Sequence, residues 1–136
     1  MSPPLRRELA DLALLAAGAI PGALLRWRLD LLAAANSGPF AGLLQASLLA
    51  NLAGCLLIGL LIVQPPGRSR LYLLAGIGFC GSLTTFSTWM LVLARRLSAG
   101  ELFSAAAVLL VSLCGGLALV ALGAWLGRLL LRETSP

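Results

Sequence analysis

The sequence contains no histidine and no lysine, only five acidic residues, and a charged fraction of 11%. Without histidine, an imidazole general base, a Ser-His-Asp arrangement and histidine metal ligation are all excluded. The acids Glu8, Asp11, Asp30, Glu101 and Glu133 all fall at or near the ends of apolar runs, so no carboxylate pair stands inside one. Soluble domains carry roughly a quarter charged residues, and 11% charged beside 60% hydrophobic excludes an ordinary soluble fold. Cysteine is scarce as well. Cys55, Cys80 and Cys114 lie in three different apolar runs without CxxC spacing, which reads as small buried thiols rather than a disulfide or metal site.

What the chain does have is long apolar stretches bounded by arginine. A bilayer core of roughly 30 Å takes about twenty helical residues, so 136 residues hold about four spans and no separate soluble domain. The expected spans are about 9–28, 42–63, 71–94 and 102–127, a single all-α transmembrane domain. The net charge of +5 comes from arginines placed at the ends of these runs. That placement serves interfacial anchoring and topology, and it does not call for nucleic acid as a partner.

In chain order, Met1 to Glu8 is a polar lead, and the first apolar run ends near Ala-Ile-Pro-Gly-Ala. This combination also fits a secretory signal, but Gly18-x-x-x-Gly22 reads as a helix-packing seam and favours a retained span kinked near Pro21. Asn36-Ser37-Gly38-Pro39 is a turn. The second span carries Ser47 and Asn51 four residues apart on one helix face. Gln64-Pro65-Pro66-Gly67 is a loop, and a short connection from Leu97 to Glu101 leads to a fourth span rich in glycine.

The third span holds the main anomaly. Gly78-Phe79-Cys80-Gly81-Ser82-Leu83-Thr84-Thr85-Phe86-Ser87-Thr88-Trp89 places two glycines, five hydroxyls and three aromatics at the centre of an apolar run. Such residues predict a helix that opens at mid-membrane, which is tolerated only where freed backbone groups face protein, water or an ion.

With four spans, both termini and the second loop share one side. That side holds Arg6, Arg7, Arg68, Arg70, Arg128 and Arg132, six in all, against Arg26, Arg28, Arg95 and Arg96, four, on the other. Orientation normally follows a marked excess of Lys and Arg in cytoplasmic segments. So small an excess predicts insertion in both orientations and an antiparallel dual-topology homodimer, with one half of a heterodimer as the alternative.

The polar groups left inside the membrane are neutral: hydroxyls at Ser47, Ser82, Thr84, Thr85, Ser87, Thr88 and Ser112, the amide of Asn51, and the aromatics Phe79, Phe86 and Trp89. Hydroxyl and amide donors and the positive edges of aromatic rings suit a small, hard anion without trapping it by a fixed charge. For any single hydroxyl the better expectation is a bond to the carbonyl one turn earlier; the clustering carries the anion reading. A helix break at a two-fold axis also frees carbonyl oxygens, which either a hard monovalent cation or water would fill.

These residues resemble the CrcB, or Fluc, family of bacterial fluoride channels over nearly the whole chain. The matching stretches are Gly22-Ala23-Leu24-Leu25-Arg26, Ser47-Leu48-x-x-Asn51-Leu52-x-Gly54-Cys55-x-x-Ile58-Gly59, and Gly78 to Thr88. The resemblance implies a dual-topology homodimer in the bacterial inner membrane, with two fluoride pathways and a central, structural sodium ion that is not transported. It places the sodium on backbone carbonyls at Gly81 and Thr84. Asn51 and Phe86 fall on the fluoride pathway and Arg26 in its vestibule, with Ser47, Thr85, Thr88, Trp89 and Ser112 as further lining. Trp89 stands where the family has a second phenylalanine, Ser47 where it has threonine, Ser82 where it has glycine, and Val92 where it commonly has an acid. Two other readings are a proton-coupled small-molecule exporter, for which Asp11 is the candidate titratable group, and a membrane assembly subunit that transports nothing.

Overall fold

The computed structural model describes residues 3–35 and 46–133, and every regular element among them is helical. α1 spans Pro3–Ala35 and α2 spans Ala46–Ile62. After a single 3₁₀ turn at Pro66–Arg68, α3 covers residues 69–83, α4 covers Phe86–Ser98 and α5 covers Leu102–Glu133. Three stretches are long and apolar enough to cross a membrane: Leu5–Leu32, Pro66–Ser98 and Leu102–Arg132. A shorter apolar helix, Ser47–Ile62, is the fourth. The expected start of the second span and the Asn36 to Pro39 turn lie outside the described residues. This is a multi-pass membrane protein, with large side chains such as Leu12, Ile20, Leu117 and Leu130 turned outward as a lipid solvent requires.

α1 is longer than the expected first span. It runs on through Pro21 and past Arg26 to Ala35, because nothing between Ala23 and Ala35 is a glycine or proline that would stop it. Arg26 Nε lies 3.7 Å from Asp30 Oδ2 one turn on, a pair that supports this extension.

Two seams hold the helices together, and small residues make both. α2 packs chiefly on α5 and α1 chiefly on α3. A side chain at Gly59 would meet the Val120 carbonyl, and one at Gly123 the Leu56 carbonyl, so these backbones touch. Gly18 and Gly22 stand in the same relation to the carbonyls of Leu74 and Phe79 on α3, as the Gly18-x-x-x-Gly22 spacing predicts.

α3 is the irregular element. Tyr72–Cys80 forms wide π-type turns, and Gly81–Leu83 returns to α geometry. The next two residues are extended, Thr84 at φ −83, ψ 154 and Thr85 at φ −147, ψ 128. Thr85 then caps α4, its hydroxyl accepting from the Thr88 N–H at 3.4 Å. The far end of α4 carries Arg95 and Arg96, which complement its dipole, and Gly100 at φ +75 turns the chain into α5. Arg96 ties that turn to Glu101 at 3.3 Å and to Ser104. The turn lays α5 back beside α4.

Candidate functional site

The extended pair Thr84–Thr85 lies against α2 because Asn51 meets it there. Asn51 Nδ2 donates to the Thr85 carbonyl at 2.9 Å, and the Thr85 N–H donates to Asn51 Oδ1 at 2.8 Å. One carboxamide thus satisfies both main-chain groups of a residue that has left the helix ladder. In an apolar medium each group left unpaired costs about 1–3 kcal/mol, so this contact holds the local backbone.

Around it is a cavity of about 400 Å³ lined by Asn51, Thr84, Thr85, Phe86, Trp89 and Ser112, with aliphatic walls from Leu52, Ile58 and Val120. Four segments of the sequence therefore meet at one place: α2, the extended pair, the first turn of α4, and the middle of α5 opposite. Trp89 Nε1–H donates to Ser112 Oγ at 2.9 Å, which links α4 to α5 across the cavity. The Phe86 and Trp89 ring centroids are 5.6 Å apart and tilted by 47°. Phe86 is 72% exposed within the single chain, so its ring faces outward beside the cavity mouth.

The remaining sequence-predicted residues take other places. Ser47 is buried and does not line this cavity. Arg26 and Thr88 meet each other, with Arg26 Nη2 donating to Thr88 Oγ1 at 2.8 Å. This ties α1 to the start of α4 at the hydroxyl cluster of Thr85, Ser87 and Thr88. Gly81 is exposed, and a Cβ built on it would meet no atom within 4 Å. Asp11 lies away from all of these, beside a separate depression lined by Arg6, Arg7 and Arg70. No group of three or more His, Cys, Asp or Glu side chains that could hold a metal occurs among the described residues.

Several hydroxyl protons are already committed. Thr84 Oγ1 donates to the Cys80 carbonyl at 2.8 Å and Ser112 Oγ to the Val108 carbonyl at 2.7 Å, each one turn back. Ser82 Oγ is within reach of the carbonyls of Gly78, Phe79 and Ala19. The indole N–H of Trp89 is taken by Ser112. The donors that remain for a guest are the second hydrogen of Asn51 Nδ2 and the hydroxyl cluster at the start of α4, together with the ring edges of Phe86 and Trp89. The cavity therefore offers a few neutral donors within apolar walls and no fixed charge. Sequence reasoning did not find the clamp between Asn51 and Thr85; a lone amide in one span and a hydroxyl-rich break in another were its only signals.

Comparison with known proteins identifies the family of the chain. Residues 13–124 match the sequence model of the family described as CrcB-like protein, Camphor Resistance (CrcB). A protein of Parasynechococcus marenigrum (strain WH8102) named fluoride-specific ion channel FluC 2 is 46% identical over 132 residues, 97% of this chain and 92% of the relative. Its namesake in Synechococcus sp. (strain CC9605) is 46% identical over 134 residues, 98% of this chain and 93% of the relative. The fluoride-specific ion channel FluC of Prosthecochloris aestuarii (strain DSM 271 / SK 413) is 37% identical over 128 residues, covering 91% and 98% respectively. With the match extending from α1 into α5 and the relatives covered almost end to end, the chain belongs to the CrcB-like family.

Proposed function

We propose that this chain is a fluoride-selective ion channel that lets fluoride leave the cytoplasm passively. The observation that carries the reading is the cavity at Asn51, Phe86 and Trp89: neutral donors and aromatic edges in apolar walls, on a chain whose relatives are named fluoride-specific ion channels. Such a lining replaces part of the water shell of a small anion and, lacking a fixed positive charge, does not hold it. Arg26 stands one contact away at Thr88, where it raises the local anion concentration without entering the cavity. No step in this reading makes or breaks a covalent bond, so the protein is a transporter and not an enzyme.

In the same reading the chain acts as an antiparallel dual-topology homodimer in the bacterial inner membrane, and the third span breaks at mid-membrane. The near balance of arginines supports the dual topology, and the outward exposure of Phe86 supports a second copy completing the cavity. A structural sodium ion fits the donor set at Gly81 and Thr84. The N–H that would close the helical bond on the Gly81 carbonyl is given to Asn51 instead, and hard monovalent cations take neutral oxygen ligands. Bound there, the ion would supply a positive charge toward which the carbonyl dipoles of Gly81 and Thr84 point, and would hold the break open.

Phe86→Leu keeps apolar bulk and removes the ring edge. In liposomes holding the purified protein, fluoride efflux is expected to fall about tenfold or more, the effect of a lost contact of roughly 1.4 kcal/mol. Unchanged efflux would show that fluoride does not pass this ring.

A further inference from the structure

Asn51 lies 34 positions before Thr85 and reaches it from another helix. In an uninterrupted α-helix the Thr85 N–H would donate to the Gly81 carbonyl four residues back. The ladder holds up to the preceding step, since the Thr84 N–H still donates to the Cys80 carbonyl at 3.0 Å. It fails at the next step, where Asn51 Oδ1 takes the Thr85 N–H at 2.8 Å. The amide group that ends the helix is therefore the one that deprives the Gly81 oxygen of its regular donor. The second arm of the carboxamide, Nδ2 to the Thr85 carbonyl, pairs the other main-chain group of this extended residue.

We propose that Asn51 is the positioning residue for the cation site: by capturing the Thr85 N–H it leaves the Gly81 carbonyl free to ligate a hard monovalent cation, while its one uncommitted N–H serves the anion. This rests on the reading of Gly81 and Thr84 as a cation site and of the adjoining cavity as the fluoride route. A carboxamide has two N–H donors and one carbonyl acceptor; Thr85 uses one donor and the acceptor, which leaves one donor for the cavity. One side chain then joins the sites of two ions of opposite charge. Binding at either is linked to binding at the other through the clamp, and such linkage is reciprocal.

The test compares the thermal unfolding midpoint of the purified full-length protein in sodium chloride and in N-methylglucamine chloride, alongside fluoride efflux from liposomes. Sodium is expected to raise the wild-type midpoint, since a ligand that binds only the folded state stabilises it. Asn51→Leu, which keeps volume and removes both arms, loses that rise and also loses efflux. Asn51→Asp keeps the acceptor for the Thr85 N–H and lacks the donor, so it retains the rise while efflux falls about tenfold or more. Phe86→Leu likewise keeps the rise and loses efflux. A folded Asn51→Leu protein with the wild-type sodium rise overturns the proposal, as does a folded Asn51→Asp protein without it. Should Asn51→Leu not fold, the aspartate variant decides alone. A wild-type protein with no sodium rise overturns the cation reading itself, and the proposal with it.

Discussion

The seam between α2 and α5 and the region where α3 gives way to α4 are built from similar residues and do opposite things. Both are rich in glycine and small or hydroxyl side chains within an apolar sequence. At the α2–α5 seam the helices are regular, and Gly59 and Gly123 let two intact backbones touch. At Thr84 and Thr85 the backbone itself changes, and Asn51 from another helix completes its hydrogen bonding. Small residues in a membrane helix thus mark either close packing or an opened ladder, and what separates the two is a polar partner waiting across the interface.

The largest expected effect falls on the packing side of this contrast. Gly59→Leu drives a side chain into the Val120 carbonyl, a rigid neighbour with no room to yield, and overpacking of this kind costs about 3 kcal/mol or more. Loss of a monodisperse species on gel filtration is the expected readout, and a folded, stable variant would show that the seam is looser than the contact implies.

An intermediate effect is expected on the side of the opened helix. Ser82→Ala removes a hydroxyl that ties α3 to the Ala19 carbonyl of α1, a loss of about 1 kcal/mol by the usual net worth of such a bond. Thermal unfolding would measure it.

The smallest effect on the single chain belongs to Gly81→Ala. Gly81 has helical φ and open space around its missing Cβ, and an alanine there changes chain stability by no more than about 1 kcal/mol in either direction. If the variant still folds but no longer elutes as a dimer, the added methyl group reports a second copy facing it, which sharpens the comparison with Gly59. A severe folding defect within the monomer would break it.

Much of this was legible in the sequence, and the exceptions have physical reasons. The all-helical class follows from apolar runs that leave no other way to satisfy a backbone in lipid. The α1–α3 seam follows from the four-residue spacing of Gly18 and Gly22. The run from Gly78 to Trp89 announced an irregularity, yet the residues that leave the helix are Thr84 and Thr85; Gly81 to Leu83 stay helical. Composition marks where a helix is weak, but which peptide leaves the ladder depends on the partner that captures its N–H. That partner, Asn51, is remote in sequence, and no local pattern pairs it with Thr85. The fates of the Thr84 and Ser112 protons were foreseeable from the general habit of hydroxyls in helices. The bond from Trp89 to Ser112 was not, because it depends on how the tight turn at Gly100 lays α5 against α4.

Fluoride release from liposomes, followed with a fluoride electrode, tests the central claim most directly. The account predicts rapid fluoride efflux from vesicles holding the wild-type protein, much slower chloride efflux, and no requirement for a proton gradient. Efflux no faster than from empty vesicles, equal passage of chloride, or transport only under an imposed pH gradient would contradict it.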